Sequence, residues 1–225
     1  MRKLLLWLVL LPLSISSIIS CNRKVSQGKT LEDILTNTSC NPPCWIGITP
    51  NATTVDEARQ LLMAHPDIIN QESIFDYAPT EAYRVKIGWQ ADNSEISGTL
   101  YFKTELLDHI YIRANEGKMK LADGIQLYGV PEKVVYEQSQ CKVTIGDSLC
   151  LRVYLYYPNK GLELSYEQLG GDYEKLIIDP NQQIDLVHFF DPDLGPYSNE
   201  MDVPKAGHTL NWPGYAEIDI KEGKE

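Results

Sequence analysis

Apolar and polar positions along this chain follow three patterns, and each predicts a different element. Residues 4–11 form an unbroken apolar run behind Arg2 and Lys3, and the looser stretch from Pro12 closes on Ile18-Ile19-Ser20-Cys21. A basic start, a short apolar segment and small residues before a cut predict an export signal over 1–20. The run falls short of the roughly 20 apolar residues that a membrane-spanning helix needs. Helical periodicity comes next. Thr30 is placed to cap a short helix over 31–35, leading into a loop between Cys40 and Cys44. Thr54 and Glu57 have capping-box spacing, in which the hydroxyl accepts a backbone N–H and the carboxylate reaches back. Val55, Ala58, Leu61 and Leu62 then share one helical face until Pro66 prevents extension. A second helix is predicted over 120–128, ended by Gly129 in a left-handed cap and by Pro131.

Period-two alternation marks the strands. Tyr83, Val85, Ile87 and Trp89 point to one side, as do Leu151, Val153, Leu155 and Tyr157. Residues 99–103, 107–112, 162–166 and 184–189 continue the pattern, and Pro158-Asn-Lys-Gly161 suits a tight turn. These elements come twice in the same order. Gln60-Leu61-Leu62 before Pro66 parallels Gln126-Leu127-Tyr128 before Pro131, and Arg84 matches Arg152, Val85 matches Val153 and Ile87 matches Leu155. The predicted fold class is therefore α+β, two tandem helix-plus-antiparallel-meander modules at 46–117 and 118–190. A signal peptide at 1–20 and a disulfide-closed tether at 21–45 precede them, and an irregular Pro-rich tail at 191–225 follows, pinned by Trp212 and Tyr215.

Composition narrows the function. Hydrophobic residues at 43% and charged residues at 23% describe a globular chain. A net charge of −11, without clustered Lys and Arg, argues against nucleic-acid binding, which needs cations to neutralise phosphates. With Ile18 and Ser20 before Cys21, the segment resembles a bacterial lipoprotein signal, and that resemblance implies lipidation of Cys21 and a membrane anchor there. Each buried methylene contributes ~0.8 kcal/mol and one acyl chain is marginal, so stable anchoring takes more than one. Cys40, Cys44, Cys141 and Cys150 remain, an even number that favours disulfides in an exported chain. Three pairings are open, and closeness in sequence favours Cys40–Cys44 with Cys141–Cys150.

Gly47-Ile-Thr-Pro-Asn-Ala-Thr-Thr-Val-Asp-Glu-Ala58 and Leu127-Tyr-Gly-Val-Pro131 give the chain a family likeness. Their helix-start and helix-end signals resemble those of envelope lipoproteins of the SmpA/OmlA (BamE) type. The doubled unit is similar to beta-lactamase-inhibitor proteins, and Pro43-Cys-Trp-Ile-Gly-Ile48 looks like a motif of uncharacterised bacterial secreted proteins. The resemblance implies a cell-envelope location and a small helix-plus-meander module, and carries over no catalytic residue.

Two stretches of the chain match a catalytic template. Gly146-Asp-Ser-Leu149 and Asp185-Leu-Val-His188 spell the two blocks of GDSL esterases and suggest a Ser148–His188–Asp185 triad. Only 37 residues separate Ser148 from Asp185, and Cys141 and Cys150 bracket the serine as at a hairpin tip, where Gly and Asp are favoured for turning. There is no H-E-x-x-H, G-x-S-x-G, P-loop or dinucleotide fingerprint. Asp191 and Asp193 lack the ligand spacing of a calcium loop. No metal or cofactor is expected. The strand faces turned away from the aliphatic side carry the better candidate surface: Arg84, Lys86, Tyr101, Tyr111 and Arg113, with Arg152, Tyr154 and Tyr156. Tyrosine offers large contact area at low entropy cost and arginine adds directed hydrogen bonds. The expected function is a lipid-anchored, non-catalytic binding, inhibitory or assembly module for an envelope protein or glycan; an extracytoplasmic hydrolase is the alternative.

Overall fold

A computed structural model describes residues 29–36, 40–68, 74–80, 82–91, 95–115, 118–143, 146–169, 174–194 and 208–220, with the backbone alone described over 141–143 and 146–148. The capping signals act where the sequence puts them. Helix α1 (Leu31–Thr36) starts at Thr30, whose hydroxyl accepts the Asp33 N–H at 3.2 Å. Helix α2 (Val55–Ala64) has the complete Thr54–Glu57 box and buries Ala58 and Leu62. Helix α3 (Leu121–Tyr128) ends at Gly129, whose φ of 82° is positive as expected, but ψ of −174° makes the cap extended rather than left-handed helical.

The strands are β1 (Ile74–Tyr77), β2 (Val85–Gln90), β3 (Ile96–Phe102), β4 (Leu107–Ala114), β5 (Met119–Lys120), β6 (Lys133–Val143) and β7 (Gly146–Tyr157). They continue with β8 (Leu162–Leu169), β9 (Lys175–Ile178), β10 (Gln183–Ile184), β11 (Leu186–Phe190), β12 (His208–Asn211) and β13 (Ala216–Asp219). Nine of them form one antiparallel sheet in the order β1-β2-β3-β4-β11-β8-β7-β6-β12. This corrects the expected fold class. The protein is a predominantly antiparallel sheet protein with few short helices, not an α+β pair of helix-plus-meander modules. The physical reason lies at the middle of the sheet. A meander leaves its last strand with a row of unpaired N–H and C=O groups. Here β4 and β11 satisfy each other, Tyr111 standing opposite His188 and Arg113 opposite Leu186. The two meanders thus share one sheet, and the helices, of six to ten residues, are too small to form separate layers.

The tail also differs from expectation. It supplies β12, which pairs with β6 at the sheet edge, and β13, which pairs with β9. Trp212 between them packs against the core.

One sheet face is the core. Ile87, Trp89, Leu100, Ile110, Ile112, Val153, Leu155, Leu164 and Val187 are fully buried on it, together with Trp45, Ile48 and the inner residues of α1, α2 and α3. Each such side chain contributes about 1.5–3 kcal/mol on burial. Trp45 stacks on Trp89 with ring centroids 4.8 Å apart. Gly98 lies opposite Trp89 in the neighbouring strand, and a Cβ there would sit 2.3 Å from the indole, so glycine is what lets the ring lie flat on the sheet.

Candidate functional site: the second face of the sheet

Strand pairing lines up the residues of the other face in lateral rows. The first runs Tyr77, Lys86, Tyr101, His109, Phe190. The second runs Phe75, Gly88, Thr99, Tyr111, His188, Glu163, Tyr156. The third runs Gln90, Ser97, Arg113, Leu186, Ser165, Tyr154. Arg152 lies between Glu137 and Glu167 in the next. Seven of the eight expected recognition residues therefore share one continuous face: Lys86, Tyr101, Tyr111, Arg113, Arg152, Tyr154 and Tyr156. Arg84 is not among the rows. It precedes β2, is largely exposed, and lies 3.4 Å from Glu105.

The rows carry a stripe of rings. Tyr83 packs edge-on against Tyr101 and His109, His109 against Tyr111 and His188, and His188 leads through Phe190 to Tyr156. Tyr111 and His188 stack at 4.2 Å with planes 17° apart. The expected surface lacked His109, Phe190 and Tyr83. Alternation with Tyr111 and Arg113 already gave His109 this face, and alternation with His188 gave Phe190 the same. Tyr83 could not be found that way. Its N–H and C=O both bond Thr80, a turn that breaks the alternation and tips the ring over Tyr101.

Charge is buried beneath this stripe. His109 Nδ1 lies 3.0 Å from Asp108, which lies 3.2 Å from Lys103 Nζ. Burial lowers the His109 pKa to about 4, so the ring is neutral at neutral pH. Burial would raise Asp108, but His109 and Lys103 outweigh it and hold the carboxyl below its usual range. His188 is 1% exposed with Nδ1 3.8 Å from Glu163, and neither ring nitrogen has a hydrogen-bond partner among the described residues. Burial pushes Tyr156 up to about 12 and raises Tyr111 and Tyr154 as well, so all three phenols stay protonated. Tyr154 donates to Glu137 at 2.9 Å, and Arg152 donates to Glu167 at 3.1 Å. Two depressions open here. One, of about 400 Å³, is lined by Arg113, Lys118, Arg152, Glu163, Glu167 and Asp185 among others. The second, of about 390 Å³, is lined by Ser97, Gly98, Thr99 and Tyr101, and shares Tyr111, Arg113 and Leu186 with the first.

The esterase residues are not brought together. His188 shares a row with Tyr156, and Ser148 lies eight residues along β7 from Tyr156, about 26 Å at roughly 3.3 Å per residue. Asp185 lies 3.7 Å from Lys118, while His188 faces Glu163. Asp191 closes a loop, accepting from the Asn51 amide at 2.8 Å and the Asp193 N–H at 3.0 Å. The Cys40–Cys44 disulfide is formed, with Cα atoms 5.7 Å apart. Cys150 is also disulfide-bonded, while the Cys141 side chain lies outside the described residues. Cys21 and the signal segment are outside them too. No helix among the described residues is long and apolar enough to cross a membrane. No family model matches the chain, and no curated protein or solved structure is significantly similar to it.

Proposed function

We propose that the chain is an exported, lipid-anchored, non-catalytic binding module of the bacterial cell envelope, with its partner seated on the tyrosine- and cation-bearing face of the sheet. The observation that carries this reading is the collection of Tyr101, Tyr111, Arg113, Arg152, Tyr154 and Tyr156 on one face, from three separate strands, around two depressions. The buried residues of α1, α2 and α3 belong to the opposite side. A side chain can be placed on the core face by burial alone. Concentrating Tyr and Arg on the other face of an acidic chain is the composition of recognition surfaces.

The test is in-cell crosslinking followed by capture of the chain. Lys86→Glu together with Arg113→Glu should abolish the captured species, while Arg59→Glu, on helix α2, should leave it unchanged. Equal capture by all forms would end this reading. The anchor rests on the layout of residues 1–21 and on the resemblance to envelope lipoproteins. Metabolic labelling with an alkynyl fatty acid should mark the wild type and not Cys21→Ser, which should also leave the membrane fraction. Labelling of Cys21→Ser would remove the anchor from the proposal.

A further inference from the structure

We propose that the two linked depressions form a binding site for a neutral oligosaccharide that lies across Tyr111. This rests on the face being a recognition surface and names the ligand class it takes. The depressions are nearly equal in size and adjoin, sharing Tyr111, Arg113 and Leu186 in their linings. That geometry suits a ligand made of similar units placed end to end. Volumes of this order are those of small-molecule sites.

The lining chemistry selects among polar ligands. In the larger depression Arg113, Lys118 and Arg152 stand against Glu163, Glu167 and Asp185, so the charges cancel. Two of the pairs are already made, Lys118 with Asp185 at 3.7 Å and Arg152 with Glu167 at 3.1 Å. A ligand with net charge would have to separate such a pair or leave one of its own charges unmatched. Sugar hydroxyls donate to carboxylates and accept from guanidinium groups at once, so they add bonds without breaking the pairs. A phosphorylated ligand would meet three carboxylates, and an acyl chain would strip water from charges it cannot replace. The smaller depression offers the hydroxyls of Ser97, Thr99 and Tyr101 and only one charge, Arg113. Ser165 and Glu163, each 3% exposed, also line the larger depression, and Ser165 is the smaller of the two. The Tyr111 ring shared by the depressions gives the C–H face of a sugar ring an apolar surface.

The experiment uses the full-length chain in detergent micelles on an array of neutral and anionic oligosaccharides. Calorimetric titration with the best neutral binder then follows. A neutral oligosaccharide should bind, and Arg113→Ala should weaken it at least about tenfold with an unchanged thermal midpoint, as expected for loss of a charged hydrogen-bond donor. Ser165→Trp should fill the larger depression and abolish binding. Retention of full affinity by Arg113→Ala, or binding of anionic glycans alone, overturns the inference. So does a blank array. If the array is blank while the Lys86→Glu, Arg113→Glu form still loses its crosslinked partner, the oligosaccharide falls and the binding module stands. If the array is blank and capture is unaffected, both fall.

Discussion

The two faces of the nine-stranded sheet are both largely closed to solvent in their middle, yet they are closed by different means. On the core face Trp89, Leu100, Ile110, Val153 and Leu164 are fully buried among apolar neighbours and helices. On the other face His109, Glu163 and His188 are nearly as buried, among rings and charges rather than under a helix. Apolar burial is the main source of stability, whereas burying imidazole nitrogens without partners costs free energy. The first face therefore holds the fold together, and the second carries a destabilising arrangement that folding alone does not call for.

The largest expected effect breaks the first face. Trp89→Ala removes the stack on Trp45 and opens a cavity over Gly98, and should cost about 3–5 kcal/mol. By denaturant titration, a variant within 1 kcal/mol of wild type would mean that the core does not depend on this stack.

The next effect separates the faces by pH. His109 has a folded-state pKa near 4 against an ordinary 6.5. The unfolded chain gains its proton first, so stability is intact above pH 6.5 and is lost as pH falls toward 4, by about 3 kcal/mol in total. His65, beside Trp45, is lowered by burial and acts in the same direction. Asp108, held below 3.8, titrates only at more acid pH. His109→Gln should flatten much of the slope between pH 6.5 and 4 in chemical denaturation. An unchanged slope would show that the ring is not buried neutral.

A smaller effect belongs to the core face again. Thr54→Ala removes the cap of α2, the helix that brings Ala58 and Leu62 to the core, and should cost about 1 kcal/mol. A midpoint indistinguishable from wild type would mean that packing alone holds the helix start.

What could be read in the sequence was local. The Thr54–Glu57 box, the breaks at Pro66 and Gly129, the Gly161 turn and the Cys40–Cys44 closure each depend on residues a few positions apart. Alternation places seven of the eight expected recognition residues on one face because strand period alone decides facing. Long-range pairing was hidden. Nothing within 107–114 states that its free edge meets 186–190, so two meanders looked like two modules. The tail looked irregular because its prolines stand beside β12 and β13 rather than within them, and strands of four residues give little alternation to see. The two depressions lay beyond reach as well, since Ser97 and Ser165 are ordinary strand serines until Arg113 and Leu186 are set between them.

The smallest effect on stability is the sharpest on function. Arg113 is exposed, stands at the centre of the third row, and borders both depressions. Substitutions at such surface positions usually change stability by no more than about 0.5 kcal/mol. Arg113→Ala should therefore leave both the thermal midpoint and the acid slope of His109 unchanged while weakening ligand binding. The reverse holds for Trp89→Ala, which should lose fold and binding together. If Arg113→Ala instead lowered the thermal midpoint by several degrees, the guanidinium would belong to the scaffold, and the contrast between a stabilising face and a recognising face would not survive.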